Sequence, residues 1–124
     1  MNILVVEDDA ELRVEIVEYL ERRNHWASGH GTMATARQAL AEMLADGKLD
    51  GVVCDVGLPD GDGLRLYSES VAQTPGCRWI LMSGAHDMER LLEMLKDMKT
   101  RPVVLEKPLP LRLLCDVLEE GRGR

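Results

Sequence analysis

The sequence predicts an α/β fold: a doubly wound sheet of five parallel strands in the order 2-1-3-4-5, with five helices over its two faces. Three observations predict it. Short apolar runs alternate with helix-length amphipathic segments along the whole 124 residues. Residues 3–6 (Ile-Leu-Val-Val), 52–54 (Val-Val-Cys) and 79–82 (Trp-Ile-Leu-Met) are unbroken apolar runs, as expected of strands covered on both faces. The other two strands are weak, the second because it is short and the fifth because Pro102 leads it, and such strands belong at sheet edges. Right-handed crossovers with those two strands outermost give the stated order, with a switch point between strands 1 and 3.

Taken in chain order, residues 3–6 form the first strand, and Asp9 caps a helix on which Leu12, Ile16 and Leu20 recur at i, i+4 and i+8. Residues 26–28 form the second strand, which Gly29 and Gly31 are expected to break. Thr32 caps a second helix carrying Ala36, Ala39, Leu40, Met43 and Leu44, and Gly47 ends it. After the third strand, 52–54, the stretch Leu58-Pro59-Asp60-Gly61-Asp62-Gly63 reads as a turn. A third helix follows to Gln73, stopped by Pro75 and Gly76. The fourth strand, 79–82, leads to a helix over 87–98, and the fifth, 103–105, to a last helix over 111–120. Residues 1–120 are thus expected to be one domain, and 121–124 (Gly-Arg-Gly-Arg) a polar, frayed tail.

Composition narrows the function classes. Apolar residues at 45% and charged residues at 30% are ordinary for a globular chain that buries a core. Aromatics are only 3%, with no Phe, so Leu, Val, Met and Ala must fill the interior. A formal charge of −7 argues against direct nucleic-acid binding, which needs a basic footprint. No run approaches the ~18 apolar residues of a membrane span, and no signal-peptide pattern precedes the first strand. Cys54, Cys77 and Cys115 are far apart without CxxC spacing, which suits small buried hydrophobes in a reducing cytoplasm, the expected location. His25, His30 and His86 show no ligand spacing and read as solvated.

The chemistry sits where the strands stop. The first ends at Glu7, Asp8 and Asp9, the third at Asp55, the fourth at Ser83, and the fifth at Glu106 and Lys107. In a parallel sheet these ends share one edge, where open α/β folds bind ligands. Carboxylates gathered there repel one another, and a hard divalent cation removes the conflict. Mg²⁺ is favoured because it accepts one or two carboxylates and otherwise keeps waters and phosphate oxygens. Asp55 is the candidate nucleophile toward phosphorus, Lys107 supplies a compact positive charge, and Ser83 a hydroxyl for a phosphoryl oxygen. Gly57 and Gly84 let backbone N–H groups approach closely.

With these residues in view the chain resembles the receiver domains of bacterial two-component response regulators, which have a flavodoxin-like fold. The matching motifs are Ile3-Leu4-Val5-Val6-Glu7-Asp8-Asp9, Asp55-Val56-Gly57-Leu58-Pro59-Asp60-Gly61-Asp62-Gly63, Leu81-Met82-Ser83-Gly84-Ala85 and Glu106-Lys107-Pro108-Leu109. The resemblance implies that Asp55 takes a phosphoryl group from a phosphohistidine on a sensor histidine kinase or a phosphotransfer protein. It implies that Asp8 binds Mg²⁺ directly and Glu7 through water, that Asp55 and the Gly57 carbonyl complete the protein ligands, and that Ser83 and Lys107 contact the phosphoryl group. It also implies a cis Lys107–Pro108 bond. Three features depart from the family pattern. Val104 stands where the family places an aromatic switch residue, and Lys99-Thr100-Arg101-Pro102 replaces a Gly-Ala turn. Gly57 and Ala85 lack side chains that would orient an attacking water.

The resulting expectation is a single-domain response regulator that signals to a downstream protein or passes phosphate onward, catalysing only its own phosphorylation chemistry. Two competitors are an interaction module on the same fold, independent of phosphorylation, and an aspartate-nucleophile phosphatase. The latter wants a second acid two residues after the nucleophile, where Gly57 stands. On helix four, Met88, Leu91, Leu95 and Met98 read as a core stripe; Leu92 and Met94 are left for the surface, as a partner or homodimer face.

Overall fold

A computed structural model describes residues 1–120; the Gly-Arg tail expected at 121–124 lies outside the described residues. Strands β1 (Asn2–Val6), β2 (Trp26–His30), β3 (Gly51–Asp55), β4 (Arg78–Ser83) and β5 (Val103–Glu106) form one parallel sheet. Its order is β2-β1-β3-β4-β5, as the sequence predicts. Helices α1 (Ala10–Arg22), α2 (Met33–Ala45), α3 (Gly63–Ser70), α4 (Ala85–Leu95) and α5 (Leu111–Glu119) link and cover the strands, and a 3₁₀ turn, Val71–Gln73, prolongs α3.

Alternation along the strands builds two apolar layers. Leu4, Val6, Val52, Cys54 and Leu81 face Met33, Leu40, Leu66, Tyr67 and Leu91 of α2, α3 and α4. Ile3, Val5, Val53, Ile80 and Met82 face Ile16, Leu20, Leu114 and Leu118 of α1 and α5. Two of the few aromatics serve the first layer. Tyr67 meets Trp79 edge-on at 5.3 Å, and the Trp79 indole N–H donates to Thr74 Oγ1 at 3.0 Å. Cys54 and Cys115 are buried as expected, and burial raises both thiols above the ordinary range. Leu91 and Leu95 fill the core from α4, while Leu92 and Met94 are exposed.

Local chemistry sets the helix starts. The Asp9 carboxylate accepts from the N–H groups of Glu11 and Leu12 at 3.0 and 3.3 Å, and Thr32 Oγ1 accepts from Thr35 N–H at 3.2 Å. Among the boundaries that differ from the sequence reading are those of β2 and α4. Gly29 lies inside β2 and does not end it: a Cβ there would stand 3.1 Å from Arg13 Cγ and 3.2 Å from Val17 Cγ2, so the missing side chain lets α1 lie against the edge strand. Helix α4 starts at Ala85, directly after Gly84, and stops at Leu95, beyond which the Arg101 guanidinium donates to the carbonyls of Lys96 and Met98.

The loop after β3 is more than a turn. Gly57–Leu58 and Gly61–Asp62 pair as a two-rung hairpin. Asp62 caps α3 through Leu64 N–H at 2.8 Å, whereas Asp60 reaches back to cap α2, accepting from the N–H groups of Met33 and Ala34 at 2.7 and 3.1 Å. The Met33 N–H foremost, and the Ala34 N–H with it, hold the Asp60 carboxyl below the usual carboxylate range. A depressed acid contributes stability above its unfolded pKa and loses it as pH falls through the folded value. Asp60→Ala is therefore expected to lower Tm at neutral pH, with the gap to wild type closing toward acid. Thermal melts over that range check this; a gap independent of pH contradicts it.

Candidate functional site

Strand register assembles the site. Val6 pairs with Cys54, Asp55 with Met82, and Ser83 with Glu106. Glu7, Asp55, Ser83 and Lys107 therefore stand in one row along the carboxyl edge, at or just past the strand ends. Glu7 N–H donates to the His30 carbonyl at 2.9 Å, and Lys107 N–H to the Ser83 carbonyl at 2.8 Å, extending the sheet by one step on each side. The Lys107–Pro108 peptide bond is cis.

Lys107 joins two of the carboxylates. Its Nζ lies 2.5 Å from Glu7 Oε1 and 2.7 Å from Asp55 Oδ2. The other oxygen of each carboxylate takes a backbone donor, Asp9 N–H at 3.1 Å on Glu7 and Gly57 N–H at 3.0 Å on Asp55. Asp8 is exposed, and carboxylate oxygens of Glu7, Asp8 and Asp55 lie within 4.8 Å of one another. Ser83 is buried, and its Oγ donates to the Gly84 carbonyl at 3.2 Å. Gly57 is exposed, with nothing within 4 Å of where a Cβ would be. Glu7, Asp8, Asp55 and Lys107 thus meet in one cluster, Ser83 stands in the same row with its hydroxyl bonded to its own loop, and the Asp9 carboxylate instead caps α1.

The electrostatics are unequal. Glu7 has no exposed surface, and burial pushes its carboxyl up to about 7 despite the ammonium beside it. Burial works against the charge of Lys107, but the bonds to Asp55 and Glu7 outweigh it and raise its pKa. Three carboxylates against one ammonium leave a formal surplus of two negative charges, the charge a divalent cation carries. The donors are all hard carboxylate oxygens, and exposed Asp8 gives access from solvent, so this set fits Mg²⁺.

Two supporting residues escaped the sequence reading. Asp60 ties the loop that follows Asp55 to α2, and Gly63 packs so closely that a Cβ would fall 2.2 Å from the Asp55 carbonyl oxygen. No local signal marks either, because the partners are distant in the chain or are backbone atoms. His25 and His30 were expected in solvent and are not. Both are partly buried; His30 Nε2 lies 2.8 Å from Ser28 Oγ, and His25 packs against α5. His86 is exposed as expected.

The family model for the response regulator receiver domain matches residues 3–119. The chain is 30% identical over 120 residues to the DNA-binding transcriptional regulator NtrC of Azospirillum brasilense, covering 97% of this chain and 24% of that protein. It is 30% identical over 97 residues to the C4-dicarboxylate transport transcriptional regulatory protein DctD of Rhizobium meliloti (strain 1021), covering 77% and 20%. The chain thus spans about a quarter or less of the length of these curated relatives. Its backbone is similar to that of a response regulator receiver domain protein from Clostridium thermocellum, with a TM-score of 0.80, 21% identity, and coverage of 95% of this chain and 90% of that one. No helix among the described residues is long and apolar enough to cross a membrane.

Proposed function

This chain belongs to the response regulator receiver domain family, and from that membership we propose that it accepts a phosphoryl group on Asp55 from the phosphohistidine of a sensor kinase or phosphotransfer protein. One observation carries the reading: the Lys107 ammonium is bonded to Asp55 and Glu7 at once, with the Asp8 carboxylate in reach of both. An Asp55 oxygen forms a bond to phosphorus as the histidine N–P bond breaks, and the electron pair returns to the imidazole. There is little covalent chemistry to assist, so alignment and charge neutralisation do the work.

Each residue then has a task. Glu7, Asp8, Asp55 and the Gly57 carbonyl would hold Mg²⁺, which supplies positive charge at the phosphoryl oxygens when bound. Lys107 moves from carboxylate to a phosphoryl oxygen, and Ser83 exchanges the Gly84 carbonyl for another. The product adds roughly −1.5 to −2 charge to a confined site. With Val104 in place of an aromatic switch, movement of the Ser83–Gly84 loop passes directly to α4, which begins at the next residue. A downstream protein or a second copy of the chain reads that change.

Incubation with acetyl phosphate and Mg²⁺ is expected to add the mass of one phosphoryl group, and EDTA to prevent it. No gain in mass with Mg²⁺ present, from acetyl phosphate or any phosphohistidine donor, contradicts the reading. A pH dependence follows from buried Glu7. Below about 7 it is protonated and the negative surplus shrinks, so Mg²⁺ affinity is expected to rise with pH through that value and then level off. Calorimetric titration in two buffers of different ionisation enthalpy reads the affinity and the released proton; a flat affinity across that range refutes it.

A further inference from the structure

A second ligating cluster lies at the opposite end of the sheet, where the strands begin. His25 immediately precedes β2, and Cys115 and Glu119 stand one turn apart on α5. His25 Nε2 is 2.7 Å from Glu119 Oε2, Cys115 Sγ is 3.6 Å from the same oxygen, and the three ligand atoms lie within 4.8 Å of one another. We propose that His25, Cys115 and Glu119 form a second metal site that takes a zinc-class transition ion.

The donor chemistry separates this site from the strand-end pocket. All-carboxylate oxygen suits Mg²⁺, whereas imidazole, thiolate and one carboxylate oxygen are the ligands zinc selects. Thiolate and carboxylate together carry two negative charges and the imidazole is neutral, while Arg23, paired with Glu119, offsets one of them. The ligands are also ordered in advance. Cys115 has no exposed surface and the His25 side chain is 10% exposed. Arg23 Nη2 holds Glu119 Oε1 at 2.6 Å, which leaves Oε2 facing the other two ligands. Glu119 is half-buried, so solvent reaches the cluster and a water completes four-coordination.

With zinc–nitrogen and zinc–oxygen bonds of about 2.0–2.2 Å and a zinc–sulfur bond of about 2.3 Å, the 3.6 Å between Cys115 Sγ and Glu119 Oε2 already suits a shared ion, and the 2.7 Å His25–Glu119 contact opens by a fraction of an ångström. The Cys115 S–H proton passes to solvent on binding. Binding through Nε2 places the ring proton on Nδ1, so the Met1 ammonium, which donates to Nδ1 at 3.0 Å in the metal-free protein, swings aside. The bound ion then pins α5 to the turn between α1 and β2.

Cobalt(II) added to the whole chain is the test, because its spectrum reports the ligands. Wild type is expected to show a thiolate-to-cobalt charge-transfer band and strong four-coordinate visible bands, both bleached by zinc. Asp55→Asn and Cys77→Ser should keep them, Cys115→Ser should lose them, and His25→Gln should weaken binding at least tenfold. Since Cys115→Ser alters the core, a zinc-dependent rise in Tm, present in wild type and absent in His25→Gln, gives an independent readout. Weak six-coordinate bands alone, or a charge-transfer band surviving in folded Cys115→Ser, overturn the proposal.

Discussion

Asp55→Asn is expected to reduce phosphoryl incorporation by more than about a thousandfold, roughly 4 kcal/mol of barrier, while the protein stays folded. The amide keeps the size of the carboxylate and can still accept the Gly57 N–H bond, 3.0 Å long in wild type. It loses the nucleophilic charge and the ion pair to Lys107 at 2.7 Å. Lys107 retains Glu7 as a partner, so no buried cation is orphaned and the scaffold cost stays small. The formal negative surplus also falls from two to one, so Mg²⁺ should bind more weakly. Intact-mass measurement after acetyl phosphate treatment, with circular dichroism as the folding control, reads both halves of the prediction. Stoichiometric phosphorylation of the variant would place the phosphoacceptor elsewhere.

Gly63→Ala is expected to be the most damaging single methyl group near the pocket, at about 1–3 kcal/mol of unfolding free energy. The added Cβ would fall 2.2 Å from the Asp55 carbonyl oxygen and 3.0 Å from Cys54 Sγ. The nearer obstacle is backbone, which has no alternative rotamer. Gly63 N–H also donates to the Val56 carbonyl at 2.8 Å, so the strain falls on the segment that carries Asp55. Gly57→Ala is the matched control: with nothing within 4 Å of the new Cβ, it should change stability by less than about 0.5 kcal/mol. Urea unfolding of the two variants separates them. Equal midpoints would show that the close approach at Gly63 is relieved without cost.

The strand order and the row of candidate residues were legible because both rest on patterns local in sequence. Apolar runs such as 3–6 and 52–54 announce buried parallel strands, and the residue that ends each run lies on the ligand-binding edge whatever its neighbours. Asp9 and Thr32 were legible as caps for the same reason, since each bonds an N–H two or three residues ahead. Asp60 was not, because it caps a helix that starts 27 residues earlier in the chain. Gly29 read as a strand breaker because sequence shows its conformational freedom but not the α1 side chains lying against it. His25 read as solvated because Cys115 and Glu119, its neighbours in space, are some ninety residues away in the chain.

By itself, the sequence determined the α/β class, the five-strand order, and the set of groups offered at the carboxyl edge: three acids, a hydroxyl and an ammonium. Those follow from periodicity and from where each apolar run stops. Only the tertiary structure decided how the groups are wired: that Lys107 bridges Glu7 and Asp55, that Glu7 is sealed from water and Asp8 is not, and that the loop after Asp55 hangs on α2. The physical reason is range. Periodicity is read within one element, but an ion pair, a desolvated carboxyl or a remote cap depends on atoms that meet only when separate elements pack.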